Sequence, residues 1–232
     1  MPQLFSRTFP SSLIKMEGSI IGFKRLANHS WFDFSGVFAI SHTTVENYKQ
    51  SAAIQTLMTR VKYNVTGGLT GLDDHACARL IYNTKLSNKL AYGKLYALKG
   101  FLVGAKRHEM PFFMCDIDGK HEVPENYPKQ DIQIRSLGRV DKPLSDLDNQ
   151  RHESTISVVV RHDGVDEDDE EDQSILVEYV VPWNNSAKTF SKAFTVGRQV
   201  SFCGTLGGWS RRLDMMSVKV TSGYLHDGQV GK

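Results

Sequence analysis

The feature that most constrains the fold of this chain is an internal similarity between two segments 104 residues apart. Residues 92–107, YGKLYALKGFLVGAKR, align without a gap with residues 196–211, VGRQVSFCGTLGGWSR. The identical pairs are Gly93 and Gly197, Gly100 and Gly204, Leu102 and Leu206, Gly104 and Gly208, and Arg107 and Arg211. The surroundings also correspond: a glycine-containing opening strand and a hairpin precede each segment, and a closing strand follows it. We therefore predict that one domain was duplicated in tandem.

Both halves of the sequence show the alternation of β-strands. In residues 59–65 it directs Val61 and Tyr63 inward and leaves Arg60 and Lys62 outside. The predicted strands are 31–40, 59–65, 78–85, 94–103 and 111–117, and then 131–140, 154–161, 174–181, 199–206 and 213–221. Two runs of five strands predict an all-β protein.

Turn and cap signals divide the chain further. One helix is predicted in the second run, capped by Asn185 or Ser186 and stopped at Gly197, with a shorter counterpart at 86–93. The polar segment 118–129 contains two prolines and is typical of a linker. The predicted organisation is an N-terminal tail at 1–17, a first domain at 18–118, a linker at 119–130, a second domain at 131–225 and a C-terminal tail at 226–232.

Charge is distributed unevenly along the chain. The formal net charge is +2, but seven of the 26 acidic residues form one run, Asp166 to Asp172, so the remainder carries 28 minus 19, or +9. Such a body attracts polyanions at long range. The acidic run is expected to be a solvated loop tip, with mimicry of an acidic strand as the alternative.

Other compositional features concern the cellular compartment. The sequence has no run of about 18 apolar residues, and its first 15 residues hold no apolar block, so neither a membrane helix nor a secretory signal is expected. The three cysteines form no C-x-x-C pair and suit a reducing compartment. We expect a nuclear or cytoplasmic protein, and a mitochondrial one stays open because those 15 residues are basic.

Five strands with a short helix between the third and fourth is the order of the OB-fold. In addition, the G-x-x-x-x-x-x-G-x-L segment that starts at Gly197 resembles the fourth strand of domains in the replication protein A and bacterial single-strand-binding families. The resemblance covers about 132–224, and more loosely 30–117. It implies two tandem OB-fold-like, five-stranded Greek-key barrels. It also implies a non-catalytic protein that binds single-stranded nucleic acid, DNA rather than RNA, in replication, repair or telomere maintenance.

The same resemblance implies where a single strand of nucleic acid would bind. These families hold the nucleic acid across the second and third β-strands, and the loops after the first and fourth β-strands act as clamps. Cations contact the phosphates and aromatic rings stack on the bases. The candidate residues are Arg60, Lys62, Arg79, Lys85, Lys106, Arg107, Arg161, Trp209, Arg211 and Arg212. An ordinary solvated sheet face would explain the sheet cations equally well.

Other aromatic and acidic residues have different expected roles. Trp31, Phe32 and Phe34 are predicted to lie in the core, and Trp183 to pack at a barrel mouth. The strand at 175–181 lacks cations and carries Glu178, so the second domain is expected to bind nucleic acid weakly, or to hold a protein partner together with the acidic run.

The enzyme motifs considered are each incomplete in this sequence. His108-Glu109 lacks the second histidine of a metalloprotease, and neither a phosphate loop nor G-x-S-x-G occurs. Asp73, Asp74 and His75 near Cys77 are interpreted as a polar loop, so no metal and no cofactor is expected. Two alternatives remain at this point: a protein-binding subunit of a nucleic-acid assembly, and an unrelated jelly-roll sandwich with a capsid or carbohydrate-binding role.

Overall fold

The structure is a computed structural model that describes residues 30–42, 46–50, 55–64, 75–84, 89–104, 110–116, 121–128, 130–144, 155–162, 174–182, 192–210 and 212–226. The strands are β1 Trp31–Ile40, β2 Glu46–Gln50, β3 Gln55–Asn64, β4 His75–Thr84, β5 Leu95–Gly104, β6 Phe112–Asp116, β7 His121–Val123, β8 Gln133–Leu144, β9 Thr155–His162, β10 Ile175–Pro182, β11 Gln199–Ser210 and β12 Met215–Leu225. We call β1 to β7 the N-half and β8 to β12 the C-half.

Each half contains five strands that pair in a closed order. In the N-half the order is β1-β3-β4-β6-β5 and back to β1, and in the C-half it is β8-β9-β10-β12-β11 and back to β8. Neighbouring strands are antiparallel except for β4 with β6 and β10 with β12, which are parallel. This closed order of five strands in each half agrees with the order that the sequence predicted for an OB-type fold, and it differs from the strand order of a jelly roll.

The two halves are joined by backbone hydrogen bonds between their first strands. β1 and β8 pair antiparallel from Trp31 opposite Leu137 to Ser35 opposite Gln133, with Asp33 opposite Arg135 in the middle. All twelve strands therefore belong to one sheet. The side chains at the join alternate between the core and the outer surface, because successive side chains of a strand point to opposite faces.

The glycines of the internal similarity occupy matching places in the two halves. A Cβ atom on Gly100 would lie 1.9 Å from the Met114 carbonyl oxygen, and one on Gly204 would lie 2.1 Å from the Lys219 carbonyl oxygen. Both close approaches are to backbone that the paired strand holds in place, so only glycine fits. The correspondence supports duplication, which stays a prediction.

The core fills both halves and follows the alternation of the strands. Phe34, Phe38, Tyr63 and Phe113 contact one another in the N-half, with ring centroids 4.8–6.1 Å apart. In the C-half Phe202 stacks on Tyr179 at 4.8 Å and faces Phe194 at 6.2 Å. Phe194 is buried, and Gly197 has a φ of 82° as its predicted place at a helix end requires.

Some sequence expectations need correction or lie outside the described residues. Trp31 is not a core residue: it is half-buried on the outer side of β1, whereas Phe32 and Phe34 point inward. Strands β2 and β7 were not expected, and β7 falls inside the predicted linker. The predicted helix lies mostly outside the described residues, of which Lys192 and Ala193 are helical. Trp183 lies outside them too, and the domain boundaries stay a prediction.

Candidate nucleic-acid interface

The outer face of β3 and β4 in the N-half carries the cations that the sequence placed there. Val61 and Tyr63 are buried, whereas Arg60 and Lys62 are exposed. Arg79 on β4 lies directly opposite Arg60. Within the described ranges, no ion pair is found for Arg60 or Lys62. Like charges directly opposite on neighbouring strands destabilise a sheet, so an anion that binds this face would reduce the repulsion between its cations.

An aromatic ring continues this row of cations onto a third strand. The Arg79 guanidinium carbon lies 4.9 Å from the centre of the Phe112 ring, and Phe112 on β6 is the strand partner of Arg79. Phe112 was not among the predicted binding residues. The signal was present, because in the doublet Phe112-Phe113 alternation sends one ring to the core and the other outside. We call Arg60, Lys62, Arg79 and Phe112 the N-half face.

One step along the strands, the outer side of the N-half becomes apolar. Ile81 lies on the outer side of β4 but is buried, and so is its strand partner Met114. Cys77, opposite Lys62 on the other side of the cations, is exposed. The cationic row is therefore bounded on one side by apolar groups.

In the C-half the predicted cation Arg161 is exposed but engaged. Its Nε and Nη2 atoms donate to Asp141 Oδ1 at 3.2 and 2.7 Å. Directly opposite Arg161 on β8 is Arg139, which is also exposed. Arg139 was not among the predicted binding residues, because its place opposite Arg161 depends on a pairing register that is irregular between Val140 and Lys142 and that no periodicity reveals.

A buried carboxylate lies on strand β10 of the C-half. Glu178 on β10 is only 3% exposed. Its Oε1 atom accepts a hydrogen bond from the Ser157 hydroxyl at 2.6 Å and lies 3.5 Å from Nη2 of Arg212. Among the residues that the structure describes, its Oε2 atom and the hydroxyl of Ser217, the strand partner of Glu178, are buried without a hydrogen-bond partner. Arg212, a predicted binding residue, is thus drawn onto an acidic group of its own chain.

Trp209 takes a position between core and surface. The ring is partly buried and packs against the hydrophobic core, and its Nε1 atom donates to Asp214 Oδ1 at 3.0 Å. Asp214 has a positive φ of 53°, which fixes the turn between β11 and β12. Part of the ring stays accessible, so stacking on a base stays a prediction.

The structure does not bring all predicted site residues together. Arg60, Lys62 and Arg79 share one face of the N-half, whereas Arg161, Trp209 and Arg212 belong to the C-half. Four of the predicted residues and the acidic run lie outside the described residues: Lys85, Lys106, Arg107, Arg211 and 166–172.

Within the same ranges, no group of three or more His, Cys, Asp or Glu side chains is placed to hold a metal ion. No helix of those ranges has the length and apolar character that crossing a membrane requires.

Comparison with known proteins supports the fold. Two solved structures of the single-stranded DNA binding protein from Thermus aquaticus match this chain. The wild-type protein has 12% identity and a TM-score of 0.52, over 88% of this chain and 97% of that one. A deletion mutant has 11% identity and a TM-score of 0.50, over 88% and 98%. Because neither half alone makes up 88% of the chain, the likeness extends over both. The predicted resemblance is confirmed at the level of the fold.

Other comparisons add little. A replication protein A heterotrimer bound to single-stranded DNA matches with 11% identity over 87% of this chain and 50% of that one, and its TM-score of 0.24 is too low to indicate a common arrangement. No protein-family model matches the chain, and no curated protein matches it.

Proposed function

We propose that this chain binds single-stranded nucleic acid, DNA in preference to RNA, and catalyses no reaction. The observation that supports the proposal is the N-half face, where the exposed Arg60 and Lys62 have no ion pair in the described part of the chain and stand beside Arg79 and the Phe112 ring. A cationic row that tracks phosphates next to a ring that stacks bases is the combination that single-strand binding requires. The likeness in fold to the single-stranded DNA binding protein from Thermus aquaticus adds to this support.

The physical reason for binding is relief of repulsion between the cations. Arg60 and Arg79 face each other across β3 and β4, and folding holds them together at a cost. A phosphate group between them replaces this repulsion with two charge-assisted hydrogen-bonding partners. Three cations that each neutralise one phosphate predict a slope of about −2 for log K against log salt, at about 0.7 per contact on a single strand.

The cellular setting and the role of the C-half belong to the same proposal. We propose that the protein works in replication, repair or telomere maintenance, where single strands are exposed. The C-half would add less to binding, because Asp141 and Glu178 already engage Arg161 and Arg212. The alternative, a protein-binding subunit of such a complex, uses the C-half and the acidic run for a partner.

The test is a fluorescence titration of the tryptophans with oligo-dT, oligo-U and duplex DNA at two salt concentrations. The wild type is expected to bind oligo-dT most tightly, with affinity that falls steeply as salt rises. The double variant R60Q/R79Q should lower the salt slope by about 1.4 and weaken all single strands alike. The control K89Q/K192Q removes the same charge from exposed lysines off β3 and β4 and should leave the slope near that of the wild type. Absence of binding to all three ligands would refute the proposal and favour the protein-binding alternative.

A further inference from the structure

We propose that the join between the two halves carries a second contact site for a single strand, formed by Trp31, Arg135, Arg139 and Arg161. We call these four residues the junction strip. The inference rests on the proposed function. It specifies where the bound nucleic acid continues beyond the N-half face.

The register of the strands places these residues on one surface. Arg135, Leu137 and Arg139 are alternate residues of β8 and point to its outer side, as their exposure shows. Trp31 of β1 lies directly opposite Leu137, so Arg135 and Arg139 are its diagonal neighbours. Diagonal neighbours on a sheet lie within reach of long and aromatic side chains. Arg161 extends the strip onto β9, opposite Arg139.

The charges on the strip are only partly compensated. Arg135 and Arg139 have neither an ion pair nor a side-chain hydrogen bond in the described part of the chain, although Asp33 is the strand partner of Arg135. Arg161, the strand partner of Arg139, is paired with Asp141. The arrangement repeats the N-half face, where two arginines also face each other on neighbouring strands.

The fold does not require these residues. The alignment of Gly36 with Gly138 makes Asp33 and Val37 the N-half counterparts of Arg135 and Arg139. The same strand positions of the same fold therefore accept an acid and an aliphatic residue. A half-exposed tryptophan flanked by two arginines is not needed for packing either, because Phe32 and Phe34 already fill the core side of β1.

The outer side of β1 connects the two sites. Alternate residues from Ala39 to Trp31 lie on that side. Ala39 is the strand partner of Lys62 on the N-half face, and Trp31 belongs to the junction strip. Residues 39 and 31 are eight positions apart, about 27 Å in a strand. The N-half face and the strip thus suit one strand of nucleic acid that lies along β1. Between Ala39 and Trp31 it would pass over Val37, Ser35 and one acidic residue, Asp33, which is the strand partner of Arg135.

The test measures how tightly the intact chain binds short and long labelled oligonucleotides, by fluorescence anisotropy. The two sites lie about 27 Å apart and a strand advances about 3.4 Å or more per nucleotide, so dT oligomers of about 4 and about 30 nucleotides are suitable probes, of which only the long one covers both sites. The double variant R135Q/R139Q should leave the affinity for the short oligomer near that of the wild type. For the long oligomer it should lower affinity and reduce the salt slope by about 1.4. The variant K89Q/K192Q is the charge-matched control and should change neither.

Stacking on Trp31 has a separate readout. Trp31→Leu should weaken the long oligomer by about 5- to 150-fold, remove part of the fluorescence quenching that it causes, and spare the short one. Trp31→Phe should retain most of the affinity, because a ring remains to stack on the base. If Trp31→Leu and Trp31→Phe have the same effect, Trp31 does not stack on a base, and that part of the proposal is refuted.

The outcomes separate the two proposals. Equal effects of R135Q/R139Q on both oligomers, or no effect on either, would overturn the junction strip while binding that depends on Arg60 and Arg79 leaves the proposed function intact. A wild type that binds neither oligomer would refute both proposals.

Discussion

Lowering the pH should weaken this fold through one histidine at the join of the two halves. His162 is buried, and its ring meets the Phe32 ring edge-on, with the centroids 5.6 Å apart. Its Nδ1 atom lies 3.0 Å from the Leu137 carbonyl oxygen, and its Nε2 atom lies 2.9 Å from the Tyr179 hydroxyl. A carbonyl only accepts, so Nδ1 donates to Leu137. The Tyr179 hydroxyl, which donates to Ser136 Oγ at 2.7 Å, is at hydrogen-bond distance from Nε2, so both ring nitrogens have a polar neighbour.

Burial lowers the pKa of His162 from 6.5 to about 4, and contacts with the Leu137 and Trp31 carbonyls offset part of that effect. Because the folded state binds the proton less tightly than the unfolded chain, stability is unaffected above pH 6.5. It falls as the pH is lowered from 6.5 towards 4. The full loss is about 3 kcal/mol, at 1.36 kcal/mol for each step of pKa. At pH 4.5 about 2.5 kcal/mol of it is expected.

Urea unfolding of the wild type and of His162→Gln at pH 7.5 and pH 4.5 measures this loss. Glutamine can still donate to the Leu137 carbonyl and hydrogen-bond with the Tyr179 hydroxyl, but it does not titrate. Carboxylates titrate alike in both proteins, so the difference in unfolding free energy between wild type and variant isolates the histidine. That difference should shift by about 2.5 kcal/mol in favour of the variant at the lower pH. A difference that is the same at both pH values would refute the reasoning.

Two further predictions concern buried groups of the C-half. Arg212→Ala should destabilise the protein by about 1–3 kcal/mol, because it leaves the buried Glu178 carboxylate with Ser157 as its remaining partner, and the same change should cost much less in a Glu178→Gln background. Equal costs in both backgrounds, measured by urea unfolding, would contradict this coupling. Gly204→Ala should destabilise by about 1–3 kcal/mol or more, because its Cβ atom would lie 2.1 Å from a backbone oxygen. The matched change Gly104→Ala, with an ordinary 3.9 Å contact, should cost less than about 1 kcal/mol, and similar melting temperatures for the two variants would count against the steric explanation.

The strands and their inward and outward faces could be predicted because they depend on local alternation. Val61 and Tyr63 point inward and Arg60 and Lys62 outward, as the pattern required. The closed strand order followed from the correspondence of the two halves and the resemblance of one segment. Trp31 was misplaced because hydrophobic character was given more weight than its position, which alternates with that of Phe32.

Features that depend on pairing between distant segments could not be predicted in the same way. The opposition of Arg139 and Arg161 depends on a register that changes at an irregularity in β8. The pairing of β1 with β8 joins residues about 100 positions apart, and the sequence of neither strand indicates which strand it pairs with. The burial of Glu178 could not be foreseen either, since a charged residue on the outer side of a strand is ordinarily exposed.

The pairing of β1 with β8 also decides how two contact sites on this chain would act together. If a flexible linker joined them, ordering that linker would offset part of the gain from the second contact. Here five consecutive residue pairs, from Trp31 with Leu137 to Ser35 with Gln133, fix the first strand of one half against that of the other. The N-half face and the junction strip therefore keep their separation before a ligand arrives. A nucleic-acid strand long enough to cover both sites gains the second contact without an entropic cost of ordering the protein. A shorter nucleic-acid strand gains nothing from the second site.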